Sequence, residues 1–167
     1  LVDIDPQANA TSGLGIDHRA LGYGIYEVLV GAKRMKEIIQ ETTQDGYRVA
    51  PATASLAGAG IELVSVSDRE YRLRDALLEV RNDYDVILID CPPSLGLLTI
   101  NGLVAADEIL IPVQAEYYAL EGLTDLVNSI QRIGQALNPS LKIEGLLRTM
   151  YDPRSSLTND VSEQLKA

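Results

Sequence analysis

The sequence predicts an α/β fold, a mostly parallel sheet flanked by helices, and three observations carry that expectation. Short β-branched or aliphatic runs alternate with longer stretches of helical periodicity, the pattern of strands joined by crossover helices. The run Val86, Ile87, Leu88, Ile89 is apolar at four consecutive positions, as a strand covered on both faces would be. Two of the strands end in aspartate, with a proline within the next two residues. In an open parallel sheet the C-terminal edge of the strands is where ligands bind.

Taken in order, strands are expected at 1–5, 47–50, 86–90, 108–113 and 143–150. The apolar run at 86–89 is expected to lie deepest in the sheet. Two short helices are expected at 25–30 and 35–39. The stretch 55–64 is ambiguous, because Gly58 and Gly60 weaken any helix there. Residues 67–81 read as a helix with Leu73, Ala76, Leu77 and Val80 on one stripe. The longest helical pattern is 120–137, where Leu120, Leu123, Val127, Ile130, Ile133 and Leu137 recur every three or four residues. Asn138 and Pro139 end it.

The bulk numbers narrow the classes. A chain of 167 residues, 46% hydrophobic and 23% charged, is one globular domain with a real core. Fourteen basic against 24 acidic residues give a net charge of −10, which argues against coating nucleic acid through overall charge and leaves room only for a local basic patch. A single cysteine, Cys91, excludes a disulfide framework or a thiolate cluster and fits a reducing cytoplasm. No apolar run approaches the ~18 residues of a membrane span, so no membrane partner is expected. The first residue is Leu1, in mid-strand, which reads as a fragment of something longer.

The chemistry lies at the strand ends. In a strand alternate side chains share a face, so Asp3 and Asp5 are expected to point one way and Val2 and Ile4 the other. Pro6 stops the strand and leaves Asp5 at its C-terminal edge. Alone, two acids at a strand end are more often solvated or capping the next loop. The second stretch, IDCPPSLGLL, puts Asp90 at another strand end and stiffens the exit with Pro92 and Pro93. An apolar strand ending in aspartate is how phosphoryl-transfer proteins hold Mg²⁺, although an aspartate capping a turn is as common. Asp3, Asp5 and Asp90 at one edge would repel one another without a cation. Ser94 has no GxSxG elbow and no nearby histidine, and helix capping explains it better than nucleophilic catalysis. His18 has no metal-spaced partners and is expected to be exposed. Tyr117 and Tyr118 read as packing or interface surface rather than base-stacking residues.

The stretches LVDIDPQANATSGLG, IDCPPSLGLLTINGL and IPVQAEYYALEGL, with EGLLRTMYDPRSSL near the end, resemble in the same order the ParA/Soj family of partition ATPases, of the deviant Walker type. The EYYALEG run at 116–122 separates the chain from the related cell-division protein MinD. The resemblance implies a P-loop NTPase fold, ATP and Mg²⁺ as cofactors, and a nucleotide-dependent homodimer. It further implies non-specific DNA binding and a ParB-type centromere-binding partner that stimulates hydrolysis, in a cytoplasmic, nucleoid-associated protein. By position, Asp5 matches the catalytic aspartate that orients the attacking water, and Asp3 with Pro6 flanks the cofactor. Asp90 matches the Walker B aspartate, holding Mg²⁺ through water, and Pro92 belongs to the turn that senses the γ-phosphate. Arg154 matches a position associated with DNA contact; with Arg148 it makes a thin basic patch.

The family's phosphate loop, KGGxGKT, has no counterpart in these residues. The reading is therefore of a single incomplete domain spanning 1–167, without the first strand and P-loop and without the family's last helix, and inactive in ATP hydrolysis as it stands. Loss of that first strand is expected to expose ladder groups and apolar surface beside the strand ending in Asp90. Rival readings are an orphan ParA-like ATPase positioning a protein cargo, and a catalytically silent dimerisation module. An unrelated dinucleotide-binding enzyme is disfavoured, since no GxGxxG follows any strand.

Overall fold

A computed structural model describes residues 1–114, 117–151 and 154, with the side chains of 117–121 left aside. The chain, read from sequence as one domain, divides into two compact units, Leu1–Ala106 and Asp107–Ala167.

In the first unit the elements follow as β1 (Val2–Asp3), α1 (Asn9–Gly13), α2 (Ile25–Leu29), α3 (Met35–Ile38), β2 (Gln40–Glu41), β3 (Arg48–Val49), α4 (Ala59–Glu62), α5 (Arg72–Leu77), β4 (Ile89–Asp90) and α6 (Leu97–Ala105). Short 3-10 turns at Ala54–Gly58 and Leu63–Ser65 bracket α4. The ambiguous stretch 55–64 is thus helical but broken into pieces, as its glycines imply. β1 pairs in parallel with β4, Val2 opposite Ile89 and Asp3 opposite Asp90. On its other side β1 meets Ala50 through a parallel bridge, with Asp3 N–H donating to the Ala50 carbonyl at 3.0 Å and Ala50 N–H to the Leu1 carbonyl at 2.9 Å. β2 and β3 form an antiparallel hairpin that the parallel pattern did not predict.

This arrangement corrects one expectation. The deepest strand is β1, in which Val2 is 4% and Asp3 0% exposed, and Ile4 just after it is 0% exposed. The run at 86–89 is not buried: Val86 is 72% and Leu88 61% exposed, and only Ile89 and Asp90 form ladder pairs. An apolar run says that a strand wants covering on two faces; it does not say which neighbours the chain supplies. Within this unit β4 has β1 on one side and no described strand on the other. The core packs around β1: Ile4, Ile25, Leu29, Met35, Ile38, Leu56, Leu63 and Leu73 are fully buried in one cluster. Fully burying such a side chain contributes roughly 1.5–3 kcal/mol.

The second unit holds β5 (Glu108–Gln114), α7 (Tyr117–Leu137) and β6 (Lys142–Thr149). β5 and β6 pair in parallel over their whole length, with a register shift between Ile109 and Leu110. α7 crosses between them, making one βαβ unit, and ends at Leu137 as Asn138 and Pro139 predict. Among the described residues no helix is long and apolar enough to cross a membrane.

Candidate functional site

The parallel register of β1 and β4 brings Asp3 and Asp90 side by side, and Ile4 N–H donates to the Asp90 carbonyl at 2.9 Å. Asp5 follows β1 at the same edge. Its carbonyl accepts the Ala8 N–H at 2.9 Å and its Oδ1 the Gln7 N–H at 3.0 Å, so Pro6 and Gln7 form a tight turn closed on Asp5 itself. Asp5 Oδ2 has no partner among the described residues.

Asp90 is half-buried, and no described residue donates a hydrogen bond to its carboxylate or pairs with it. Burial first, then the charges of Asp3 and Asp5, push its carboxyl above the ordinary carboxylate range. The next residue reports the same field: burial, then Asp90 and Asp5, push the Cys91 thiol up to about 11. The edge is therefore short of positive charge.

Asp3 does not share this state. It is 0% exposed, and its oxygens are spent on three donors: Asp5 N–H at 3.1 Å on Oδ1, and Thr11 N–H at 2.8 Å and Thr11 O–H at 2.6 Å on Oδ2. The Asp3 carboxylate is committed to Thr11 and the Asp5 amide, which leaves Asp5 and Asp90 as the candidates at this edge for holding an ion. Among the described residues no group of three or more His, Cys, Asp or Glu is gathered to hold a metal by protein ligands alone. What remains, two carboxylates at one edge with little local compensation, fits Mg²⁺, a hard cation that keeps several waters and takes only one or two carboxylates.

The turn after β4 is built by α6. Thr99, 8% exposed, donates its hydroxyl to the Ser94 carbonyl at 2.6 Å, with the Pro92 carbonyl at 3.3 Å. Gly96, not Ser94, is the N-cap residue of α6, which corrects the capping role expected of Ser94; its carbonyl, not its hydroxyl, is engaged. Gly102 lets α6 lie close to both strands: a Cβ there would sit 2.6 Å from Cys91 Sγ and 3.1 Å from Ile4 Cδ1. Thr11 and Thr99 escaped the sequence reading, since a threonine one turn into a helix carries no pattern of its own. Thr53, 5% exposed, has a buried hydroxyl without a partner among the described residues.

His18 is half-buried rather than exposed, with Nδ1 buried and unpartnered among the described residues. Arg154 is exposed and belongs to the second unit, where the Arg148 guanidinium lies 4.8 Å from the centroid of the Tyr151 ring. Residues 152 and 153 and most of the run 116–122, including the tyrosine side chains, lie outside the described residues. A cavity of about 240 Å³, lined by Leu1, Arg48, Tyr84, Asp85 and Val86 among others, sits at the end of β1 away from Asp5.

A family profile described as an AAA domain matches residues 1–143. The chain is 54% identical over 166 residues to the sporulation initiation inhibitor protein Soj of Bacillus subtilis, covering 99% of this chain and 66% of that protein. It belongs to the ParA/Soj family. The chromosome partitioning protein ParA of Myxococcus xanthus is 51% identical over 166 residues, covering 99% of this chain and 59% of that protein. This ParA/Soj chain thus spans less than two thirds of the curated relatives it matches. A crystal structure of cobyrinic acid a,c-diamide synthase from Mycobacterium smegmatis with a bound ATP analogue and magnesium superposes with a TM-score of 0.94 at 40% identity, covering 99% of this chain and 67% of that one. The fold is accordingly that of the ParA-like P-loop NTPases, a family whose members are ATPases.

Proposed function

We propose that the protein to which these residues belong is a ParA-type ATPase that segregates or positions chromosome or plasmid DNA. It dimerises with ATP, binds DNA without sequence preference in the cytoplasm at the nucleoid, and is stimulated by a ParB-type partner. The observation that carries this reading is the placement of Asp5 just past β1 and of Asp90 at the end of the adjacent parallel strand β4, on one C-terminal edge, with Asp90 half-buried and uncompensated among the described residues. Relatives named for chromosome partitioning, at 47–51% identity over nearly the whole chain, support the cargo class.

In this reading Asp90 anchors the metal through its waters, and Asp5 orients the attacking water with the oxygen that the Gln7 N–H leaves free. Mg²⁺, when bound with ATP, neutralises charge developing on the phosphates. The turn at 91–96, held by Thr99, and the turn at 5–8 are the two segments placed to respond when the terminal phosphate leaves.

These 167 residues contain no GxxxxGK[ST] motif and are expected to show no turnover by themselves. The test is therefore made on the full-length protein. Steady-state Mg-ATP hydrolysis is expected to fall about 100-fold in Asp5→Ala with ATP binding retained, and ATP affinity in Mg²⁺ to fall about tenfold in Asp90→Asn. Hydrolysis at the wild-type rate in Asp5→Ala would remove the assignment of the catalytic aspartate. An absence of Mg-dependent hydrolysis in the wild type would favour a silent dimerisation module.

A further inference from the structure

We infer that Thr11 is a positioning residue for Asp5, acting through a buried three-way junction that also includes Asp3 and the Ala52 amide. The inference rests on the catalytic assignment of Asp5 but concerns a residue outside that assignment. Thr11 is 0% exposed, and its hydroxyl is used twice: it donates to Asp3 Oδ2 at 2.6 Å and accepts the Ala52 N–H at 3.0 Å. Its backbone N–H donates to the same Asp3 oxygen at 2.8 Å. The other oxygen of Asp3 accepts the Asp5 N–H at 3.1 Å.

One side chain therefore ties together three pieces of chain: β1, the start of α1 and the segment beyond β3. The turn carrying Asp5 is the loop enclosed by this junction, fixed at one end by Asp5 N–H on Asp3 and at the other by Thr11. Within it Ala8 is fully buried with φ 54°, a left-handed conformation that an alanine adopts only where its surroundings dictate it. Ala8 N–H closes on the Asp5 carbonyl at 2.9 Å. The strained turn and the clamp are one construction: without the Thr11 hydroxyl, the Asp3 carboxylate loses a donor and the Ala52 N–H loses its acceptor, both out of reach of water. Relaxation of that defect runs into the enclosed loop, residues 4–10, which sets where the Asp5 carboxylate points. Small displacements of a group that orients a nucleophile are costly to rate and not to binding.

The experiment uses the full-length protein with Thr11→Val, which keeps the shape and removes the hydroxyl, and Thr11→Ser, which restores it. Thr11→Cys, close in volume with a weak donor, serves if the valine variant does not fold. Amide hydrogen exchange over residues 1–13 is expected to quicken about tenfold in Thr11→Val with the rest of the chain unchanged, and to return to wild type in Thr11→Ser. The kcat for ATP is expected to fall about tenfold with KM within about twofold, again rescued by serine. Wild-type exchange in this segment, an unchanged kcat, or a loss of protection spread uniformly over the chain would each overturn the inference. If the wild type hydrolyses no ATP, the catalytic reading fails, and the exchange measurement alone decides whether the clamp holds the turn.

Discussion

Cys91 occupies a position where a reactive thiol would be easy to imagine, beside two carboxylates at the edge of a sheet. The field there works against reactivity, because burial and the charges of Asp90 and Asp5 favour the protonated form and hold the thiol at about 11. The folded protein binds this proton more tightly than the unfolded chain, whose thiol titrates near 9.0. The stability from this group is therefore complete below pH 9 and lost as pH rises through about 11. Alkylation by iodoacetamide at pH 8 is expected to be at least about 100-fold slower in the folded protein than in urea. Equal rates would mean that the thiol is neither buried nor under the aspartates' field. At this scale the sequence located the aspartates at one sheet edge but not what each of them touches. Asp5 and Asp90 were legible from strand ends and prolines, whereas Asp3 looked equivalent to Asp5 by alternation. What separates them is Thr11, eight residues on from Asp3, whose two hydrogen bonds to Asp3 are a tertiary fact invisible to a period of two.

The same distinction operates between elements. Periodicity located every strand of the two parallel pairs and the long helix of the second unit, because those patterns extend over many residues and are set by the faces they bury. It placed a strand at 47–50, where β3 lies, but missed β2 and its antiparallel pairing, because two residues present no alternation to read. It also misplaced the centre of the first unit, taking the most hydrophobic run for the most buried strand. Burial depends on neighbours: β1 is flanked by β4 and Ala50, and Leu88 has nothing comparable over it. Truncation measures the difference directly. Ile4→Ala, at a fully buried site just past β1, is expected to destabilise the chain by about 2–5 kcal/mol, through lost transfer energy and the cavity left behind. Leu88→Ala, 61% exposed, is expected to cost less than about 1 kcal/mol. Urea unfolding of the 167-residue chain decides it through the midpoint shift at constant slope. A larger loss at Leu88 than at Ile4 would return the centre of the sheet to β4.

Charge is a property of the whole molecule, and here it sets a condition on the proposed DNA binding. At −10, these 167 residues gain nothing from their net field near a polyanion, so any retention that they contribute has to come from a few local cations. Arg154 is exposed in the second unit, and Arg148 in the same unit is held against the Tyr151 ring, which orders its guanidinium without neutralising it. Binding of this kind releases counterions from the phosphates, so each contacting arginine adds about 0.9 to the slope of log affinity against log salt. Arg154→Glu in the full-length protein is expected to weaken retention of non-specific duplex DNA several-fold at low salt and to reduce that slope by about one. ATP hydrolysis without DNA should not change, since Arg154 is not among the residues assigned to the metal or the attacking water. A slope identical to wild type would take Arg154 out of the DNA contact. A slope that falls together with basal hydrolysis would mean instead that the substitution damages the fold rather than the contact.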